Sequence, residues 1–314
     1  MTAKESARAM TVVCGDQCSA RCTGCFTESS PDAKNWISDE SIAQLAEWIE
    51  EHGPPKHFAV TGGEPGLRPA VLARLMAAAG DAKKRVVTNG SWGASRQLTR
   101  QVIQVLTAGV ERVQVSMGDE HKRWVQLAAV AKALEAIIKE TPCRIELPIE
   151  LVRGEVGDDV LEVASRAVAL APERVQVIST AWAAQDADGH YRYEEPLESG
   201  DGPFCDQLTS ARLVVDWDGA VYRCCGTQLR RAWRRESPYF LGTLADGFAV
   251  PGSSEDGHAA FFSELGALKD GAVPSWLGEQ PSAEWNRMHR CTQCHLACSG
   301  LGSQHVKKHM VVLT

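Results

Sequence analysis

The chain has no long apolar run. Its longest mainly apolar stretches, such as residues 71–80, fall far short of a bilayer-spanning segment. It also lacks an excess of positive charge. Lysine and arginine number 33 against 40 aspartate and glutamate, for a net charge of -7. That balance argues against a nucleic-acid binder working by bulk electrostatics. The opening Met1-Thr-Ala-Lys-Glu-Ser is polar and has no signal-peptide core, and no internal repeat is present. Membrane, secreted and fibrous classes are set aside, and the cytoplasm is the expected compartment. With 314 residues, 44 % of them apolar, the chain can bury one large core, or one large core with a small appendage.

What is abundant is cysteine. There are 11, an odd number, and nothing signals export, which argues against a disulfide framework. Cys14, Cys18, Cys22 and Cys25 cluster near the start. Cys205, Cys224, Cys225, Cys291, Cys294 and Cys298 fall in the last third, and Cys143 stands alone. Clustered thiols in a reducing compartment point to metal.

From about residue 10 to 180, short apolar runs alternate with helical patterns. Strands are expected at residues 10–13, 57–60, 85–88, 113–116, 144–151 and 174–178. A first helix starts after Ser38, a good N-cap, sets Ile42, Leu45 and Ile49 on one face, and ends at Gly53-Pro54-Pro55. Further helices are expected over 69–79, 95–108, 121–139 and 158–170. Six such units make an α/β fold with a parallel sheet and right-handed crossovers. Periodicity leaves barrel and open sheet as alternatives, but either carries its chemistry on loops at the C-terminal strand ends. Residues 183–204, rich in Asp, Glu, Gly and Pro, read as a linker. Beyond it, Asp218-Gly219 between two apolar runs signals a β-hairpin.

Cys18-x3-Cys22-x2-Cys25 falls in the loop after the first strand. Three local thiolates can wrap a four-iron cubane and leave one iron open for a small molecule to chelate. Zinc and three unrelated buried thiols are the alternatives, with Cys14 available as a fourth zinc ligand. The second strand runs into Thr61-Gly62-Gly63-Glu64-Pro65, where two glycines allow close approach to the backbone and Glu64 offers a carboxylate. Thr88-Asn89-Gly90 ends the third strand and Ser116 the fourth.

On these residues the chain resembles the radical S-adenosylmethionine (SAM) superfamily over about residues 10–180. The resemblance implies a partial (β/α)6 TIM-like barrel as a core over residues 1–182. It implies a SAM-binding [4Fe-4S] cluster on Cys18, Cys22 and Cys25, with S-adenosylmethionine chelating the open iron. Gly62, Gly63 and Glu64 are then expected at its methionyl amino group, and Asn89 and Ser116 at its carboxylate or ribose. The backbone around Gly24 and Phe26 is expected to face the adenine, although Gly24 stands where many members have an aromatic. Met117-Gly118-Asp119-Glu120-His121 also departs from the common pattern, with Gly118 where relatives often have Asp, leaving open which acid meets the ribose. The implied chemistry is reductive cleavage of SAM to a 5′-deoxyadenosyl radical that takes a hydrogen from substrate.

Cys205 and Cys224 bracket the expected hairpin, and Cys291-x2-Cys294-x3-Cys298 lies close to the C-terminus. Two thiols from each would complete a four-ligand site, a zinc ribbon being the alternative. The arrangement resembles the SPASM/Twitch extension of radical SAM enzymes, and the cysteine count suits the single-cluster Twitch form. Residues 205–314 are therefore expected to form a small β-hairpin and helix domain with a second, auxiliary [4Fe-4S] cluster. Its expected ligands are Cys205, Cys224, Cys291 and Cys294, with Cys298 the substitute for Cys294.

Cys225 follows an expected ligand directly, so its side chain points elsewhere. Tyr222-Arg223-Cys224-Cys225 and Thr88-Asn89-Gly90-Ser91-Trp92-Gly93 resemble the peptide epimerases of the epipeptide pathway. The likeness implies Cys225 as the thiol that returns a hydrogen atom to an α-carbon radical, although a free Cys is often a small buried hydrophobe. The implied substrate is a ribosomally made precursor peptide whose L-residue becomes D. A small-molecule dehydrogenase, acting for instance on an amino sugar with the auxiliary cluster as electron acceptor, is the alternative. A flavodoxin- or ferredoxin-like electron donor is the other expected partner, with no nucleic acid and no membrane. Arg230, Arg231, Arg234 and Arg235 could hold an acidic leader or such a donor, or form a solvated run. No peptide-recognition domain precedes the first strand, so a leader is expected to bind the core or a separate protein.

Overall fold

The structure, a computed structural model, describes residues 9–152, 154–185, 191–193, 212–224, 239–248, 250, 287 and 291–294. Cys205, Cys225, Cys298 and the arginines at 230–235 lie outside the described residues. The chain divides into two compact units, Met1–Trp182 with Val215–Gly219, and Ala183–Val214 with Ala220–Thr314.

In the first unit the strands are β1 (Ala9–Val13), β2 (His57–Thr61), β3 (Lys83–Thr88), β4 (Arg112–Val115), β5 (Met117–Gly118), β6 (Arg144–Leu151) and β7 (Val175–Ala181). The parallel order is β1-β2-β3-β4-β6-β7, with the short β5 also parallel to β6. Strands that follow one another in space as in sequence put all right-handed crossovers on one face, which is the winding of a barrel rather than of a two-faced sheet. Among the described residues β7 pairs only with β6, so the barrel is partial.

The crossovers are α1 (Asp39–His52), α2 (Pro69–Ala78), α3 (Arg96–Thr107), α4 (Asp119–Lys122), α5 (Leu127–Glu140) and α6 (Asp158–Leu170). Ser38 caps α1 by accepting from Ser41 N, and Ile42, Leu45 and Ile49 form its buried stripe. The core between helices and sheet is Met10, Val12, Phe58, Val60, Val86, Val113, Ile145 and Leu147, each nearly inaccessible. These residues alternate along β1 to β4, as a sheet with one covered face requires. Cys14 and Cys143 are buried there too, and Cys143 Sγ lies 3.1 Å from the Val110 carbonyl.

Three details differ from the sequence expectation. The helix expected over 121–139 is two, α4 and α5, because His121 O accepts from both Trp124 N and Val125 N and closes the first turn. The fourth strand stops at Val115, leaving Ser116 in the following loop. The segment read as a linker contains an antiparallel pair, β8 (Ala183–Gln185) with β9 (Tyr191–Tyr193).

β10 (Arg212–Val215), all but its last residue in the second unit, lies beside β11 (Ala220–Tyr222). Gly219 takes φ +80 in the turn between them, the conformation for which the Asp-Gly pair was read. Antiparallel β12 (Phe240–Thr243) and β13 (Gly247–Phe248) extend that layer, and sequence reasoning missed both. No helix among the described residues is long and apolar enough to cross a membrane.

Candidate functional site

Cys18, Cys22 and Cys25 share the loop between β1 and α1, which is closed at its base. Ile37 N donates to Cys14 O at 2.9 Å, and Asp16 N to Asn35 O at 3.2 Å. The Asp16 carboxylate takes the Asn35 amide N–H and side chain in return. Further in, Cys18 N donates to Ser30 O and Ser30 N to Asp16 O, both at 3.0 Å. Glu28 adopts φ +50, a left-handed conformation uncommon for a residue with a side chain. That turn aims Ser29 N at Cys25 Sγ, 3.4 Å away. The Thr27 hydroxyl is also 3.4 Å from this sulfur, and Asn89 Nδ2 donates to Cys18 Sγ at the same distance. Donors converging on sulfur suit a thiolate, and are the contacts that tune a metal-bound one.

The Gly-Gly-Glu segment docks on this loop by continuing the β1–β2 pairing past the strand ends. Cys14 N donates to Thr61 O, Gly63 N to Gly15 O and Glu64 N to Gln17 O, each at 2.8 Å. Gly62, at φ +133, would place a Cβ 2.7 Å from Gly15 O, and a Cβ on Gly63 would run into the Gln17 carbonyl. The two glycines therefore admit the cysteine loop's own backbone, an approach the sequence reading had reserved for a ligand. The Thr27 hydroxyl donates to Gly62 O at 2.9 Å and locks the contact from the other side.

Glu64 is fully buried. Its Oε1 accepts from Gly66 N at 2.8 Å and from the Thr88 hydroxyl at 2.7 Å, and its Oε2 from Asn89 N at 2.7 Å. Burial raises its pKa, and these three donors oppose the rise. The carboxylate thus ties the end of β2 to the end of β3, and only Oε2 keeps capacity to spare for a ligand. Behind it, Trp92 Nε1 donates to Thr88 Oγ1 at 2.9 Å, and the indole lies where a Cβ on Gly66 would be. Gly93 lets this turn press against the Ala129 carbonyl of α5. Sequence reasoning had used Thr88 and Trp92 only as part of a motif string. Their burial beside an acid was not legible without the fold.

The remaining strand ends complete the rim. Asn89 Nδ2 also donates to Ser19 Oγ at 3.1 Å, whose hydroxyl donates to Ser91 Oγ at 2.8 Å. Ser116 N donates to Thr88 O at 2.9 Å, which sets Ser116 beside Asn89. Phe26 is 37 % exposed on the cysteine loop. At the start of α4, Glu120 accepts from Thr23 N, and His121 Nδ1 lies 2.6 Å from Glu150 Oε2. From the sequence, Glu120 and His121 were read only as part of the segment that leaves the ribose acid open, and Glu150 was not singled out.

The three thiols fit a cubane with one open iron. Burial, helped by Glu64, pushes the Cys18 thiol up to about 12. Burial and then the neighbouring Cys25 and Cys18 raise Cys22. Without metal these two remain thiols at neutral pH, and iron must displace their protons. Among the described residues no three His, Cys, Asp or Glu converge as ligands of one metal ion. A cubane makes no such demand, since each thiolate takes a different iron. Cys14, the fourth ligand of the zinc alternative, is buried in the core at the end of β1.

In the second unit, residues 291–294 form a helical turn, which sets Cys291 and Cys294 on one side of it. Arg223 N donates to Tyr239 O at 3.0 Å, so Cys224 follows directly on that pairing. The Tyr239 hydroxyl is 2.8 Å from Cys294 Sγ, both groups being buried. Tyr239 therefore joins the segment that follows β11, Arg223-Cys224, to the turn that carries Cys294. The fourth expected ligand, Cys205, lies outside the described residues.

Residues 12–166, just under half of the chain, match the Radical SAM superfamily. No curated protein matches the chain. Among solved structures, BtrN in complex with AdoMet and 2-DOIA superposes with a TM-score of 0.50 at 14% identity, over 84% of this chain and 88% of that one. Native anSMEcpe with bound AdoMet and Cp18Cys peptide superposes with a TM-score of 0.56 at 14% identity, over 97% and 98%. At such identities the likeness is one of fold.

Proposed function

We propose that this enzyme, whose residues 12–166 match the radical SAM superfamily, abstracts an α-hydrogen from a peptide and inverts that carbon from L to D. The observation that carries the radical SAM chemistry is the docking of the three-cysteine loop on Gly62-Gly63-Glu64, with donors aimed at Cys18 and Cys25. When bound there, a [4Fe-4S] cluster supplies the electron that splits SAM into methionine and a 5′-deoxyadenosyl radical. Gly62, Gly63 and the spare lone pair of Glu64 Oε2 would receive the methionyl ammonium. Ser116 and Asn89 lie one hydrogen-bonded step away, for its carboxylate or ribose. Phe26 would cover the adenine and exclude water.

The choice of a peptide and of inversion rests on the sequence likeness to epipeptide-pathway epimerases. It is supported by the near full-length fold similarity to anSMEcpe, which holds a peptide beside AdoMet. Cys225 would give its thiol hydrogen to the α-carbon radical from the face opposite the abstraction. The resulting thiyl regains an electron from a flavodoxin- or ferredoxin-like donor and a proton from water. Cys205, Cys224, Cys291 and Cys294 would hold an auxiliary [4Fe-4S] cluster in a SPASM/Twitch-type domain. A reducing cytoplasm suits both sets of thiols.

Turnover in deuterated water tests the reading. Inversion places one deuterium at the α-carbon of each D-residue formed, with no net oxidation, and Cys225→Ala stops D-residue formation. A product two mass units lighter, formed equally well by Cys225→Ala, overturns inversion and assigns a dehydrogenase.

A further inference from the structure

Thr23 sits in the two-residue spacer between Cys22 and Cys25 and is exposed, yet its backbone is held by a residue 97 positions away. Glu120 Oε1 accepts from Thr23 N at 3.0 Å and from the Thr23 hydroxyl at 3.3 Å. The Glu120 side chain is only 7 % exposed, and its other oxygen pairs with Arg123 at 3.0 Å. Arg123 itself is 69 % exposed, so solvent screens most of its charge while the carboxylate faces the loop. Glu120 is also among the groups whose charge is felt at Cys22, after burial, Cys25, Cys18 and Glu150. A buried carboxylate here accomplishes two things. It spans from α4 to the spacer that sets the distance between two sulfurs. It also fixes a negative charge against one of them.

We propose that Glu120 is a positioning residue for the iron-binding loop, holding the Cys22–Cys25 spacer through Thr23 and keeping the reduction potential of the bound cluster low. The sign follows from electrostatics. Adding an electron beside a fixed negative charge in a poorly solvated site is disfavoured, so the charge makes the reduced cluster a stronger donor. Splitting a sulfonium bond needs such a donor. Asn89 works in the opposite sense, since an N–H donated to Cys18 Sγ stabilises the added electron. The two residues flank the loop and set its potential between them.

The inference rests on the radical SAM reading for its second half and on the metal-free fold for its first. Two variants separate them. Glu120→Gln keeps an acceptor for Thr23 but removes the charge; Glu120→Ala removes both. In metal-free protein, hydrogen exchange at the Thr23 amide should accelerate roughly tenfold in Glu120→Ala, the worth of one charge-assisted bond, and stay near wild type in Glu120→Gln. In iron-loaded protein, redox titration followed by EPR of the SAM-responsive signal should show a higher midpoint potential for Glu120→Gln at unchanged iron content. Unaltered exchange in Glu120→Ala overturns the positioning role, and an unchanged or lower potential in Glu120→Gln overturns the electrostatic one. Wild-type protein that binds no cubane overturns the radical SAM reading instead, while the exchange result still decides the latch.

Discussion

The molecule carries two sets of cysteines, and they are built in opposite ways. Cys18, Cys22 and Cys25 lie within one loop, and the fold around them holds that loop from three strand ends. The Gly-Gly-Glu segment after β2 pairs with its backbone, Asn89 after β3 bonds Cys18, Glu120 after β5 bonds Thr23, and Thr27 reaches back to Gly62. Cys224, Cys291 and Cys294 come from segments some 70 residues apart, and Tyr239, paired through its backbone with Arg223, reaches Cys294 with its phenol. A contiguous ligand set needs only its loop conformation fixed, and it can be fixed before metal arrives. A dispersed set spends chain entropy on closing the segments together, so a bound cluster would itself act as the staple.

The largest expected difference between the two sets lies in chemistry. Cys22→Ala should lose the SAM-cleaving cluster and all deoxyadenosine formation. Cys294→Ala should retain SAM cleavage while losing about half of the bound iron, since two cubanes hold equal shares. Iron analysis beside a deoxyadenosine assay checks this, and equal loss of SAM cleavage in both variants would erase the contrast.

Next in size is the packing of the first set. Gly63→Ala drives a methyl into the Gln17 carbonyl and should cost about 3 kcal/mol in denaturant unfolding, the upper end for overpacking. Thr88→Val should cost about 2 kcal/mol, because it leaves the Trp92 indole N–H and Gly90 N without their acceptor. In the second set, Tyr239→Phe removes one hydrogen bond and should cost about 1 kcal/mol. A cost for Tyr239→Phe above that for Gly63→Ala would invert the comparison.

The smallest effect is on pH dependence. Burial raises the folded-state pKa of Glu64, so the folded protein binds a proton more readily than the unfolded chain there. The stability this contributes is fully present below the ordinary carboxyl pKa and is lost as pH rises through the raised one. The wild-type advantage over Glu64→Gln should therefore shrink with rising pH across that interval. Growth of that advantage with pH would show that the three donors outweigh burial.

The same contrast governs how much was legible in the sequence. The cysteine triplet, Gly62-Gly63-Glu64 and the β/α alternation are local patterns, and the order of the six long core strands follows from chain order and crossover handedness. Glu120 was read only among the acids left open for the ribose, and nothing local marks it as the partner of Thr23 until the fold brings it there. Tyr239 gave no signal because its partner is 55 residues away. The two glycines were noticed for the right reason, close backbone approach, but the approaching group is the cysteine loop. β12 and β13 were missed because residues 240–248 hold two glycines and too short an apolar run for a period to show.

The most direct test is anaerobic. Protein reconstituted with iron and sulfide, reduced with dithionite and given SAM should release 5′-deoxyadenosine and methionine in equal amounts. Fully iron-loaded protein that leaves SAM intact under those conditions would contradict the account.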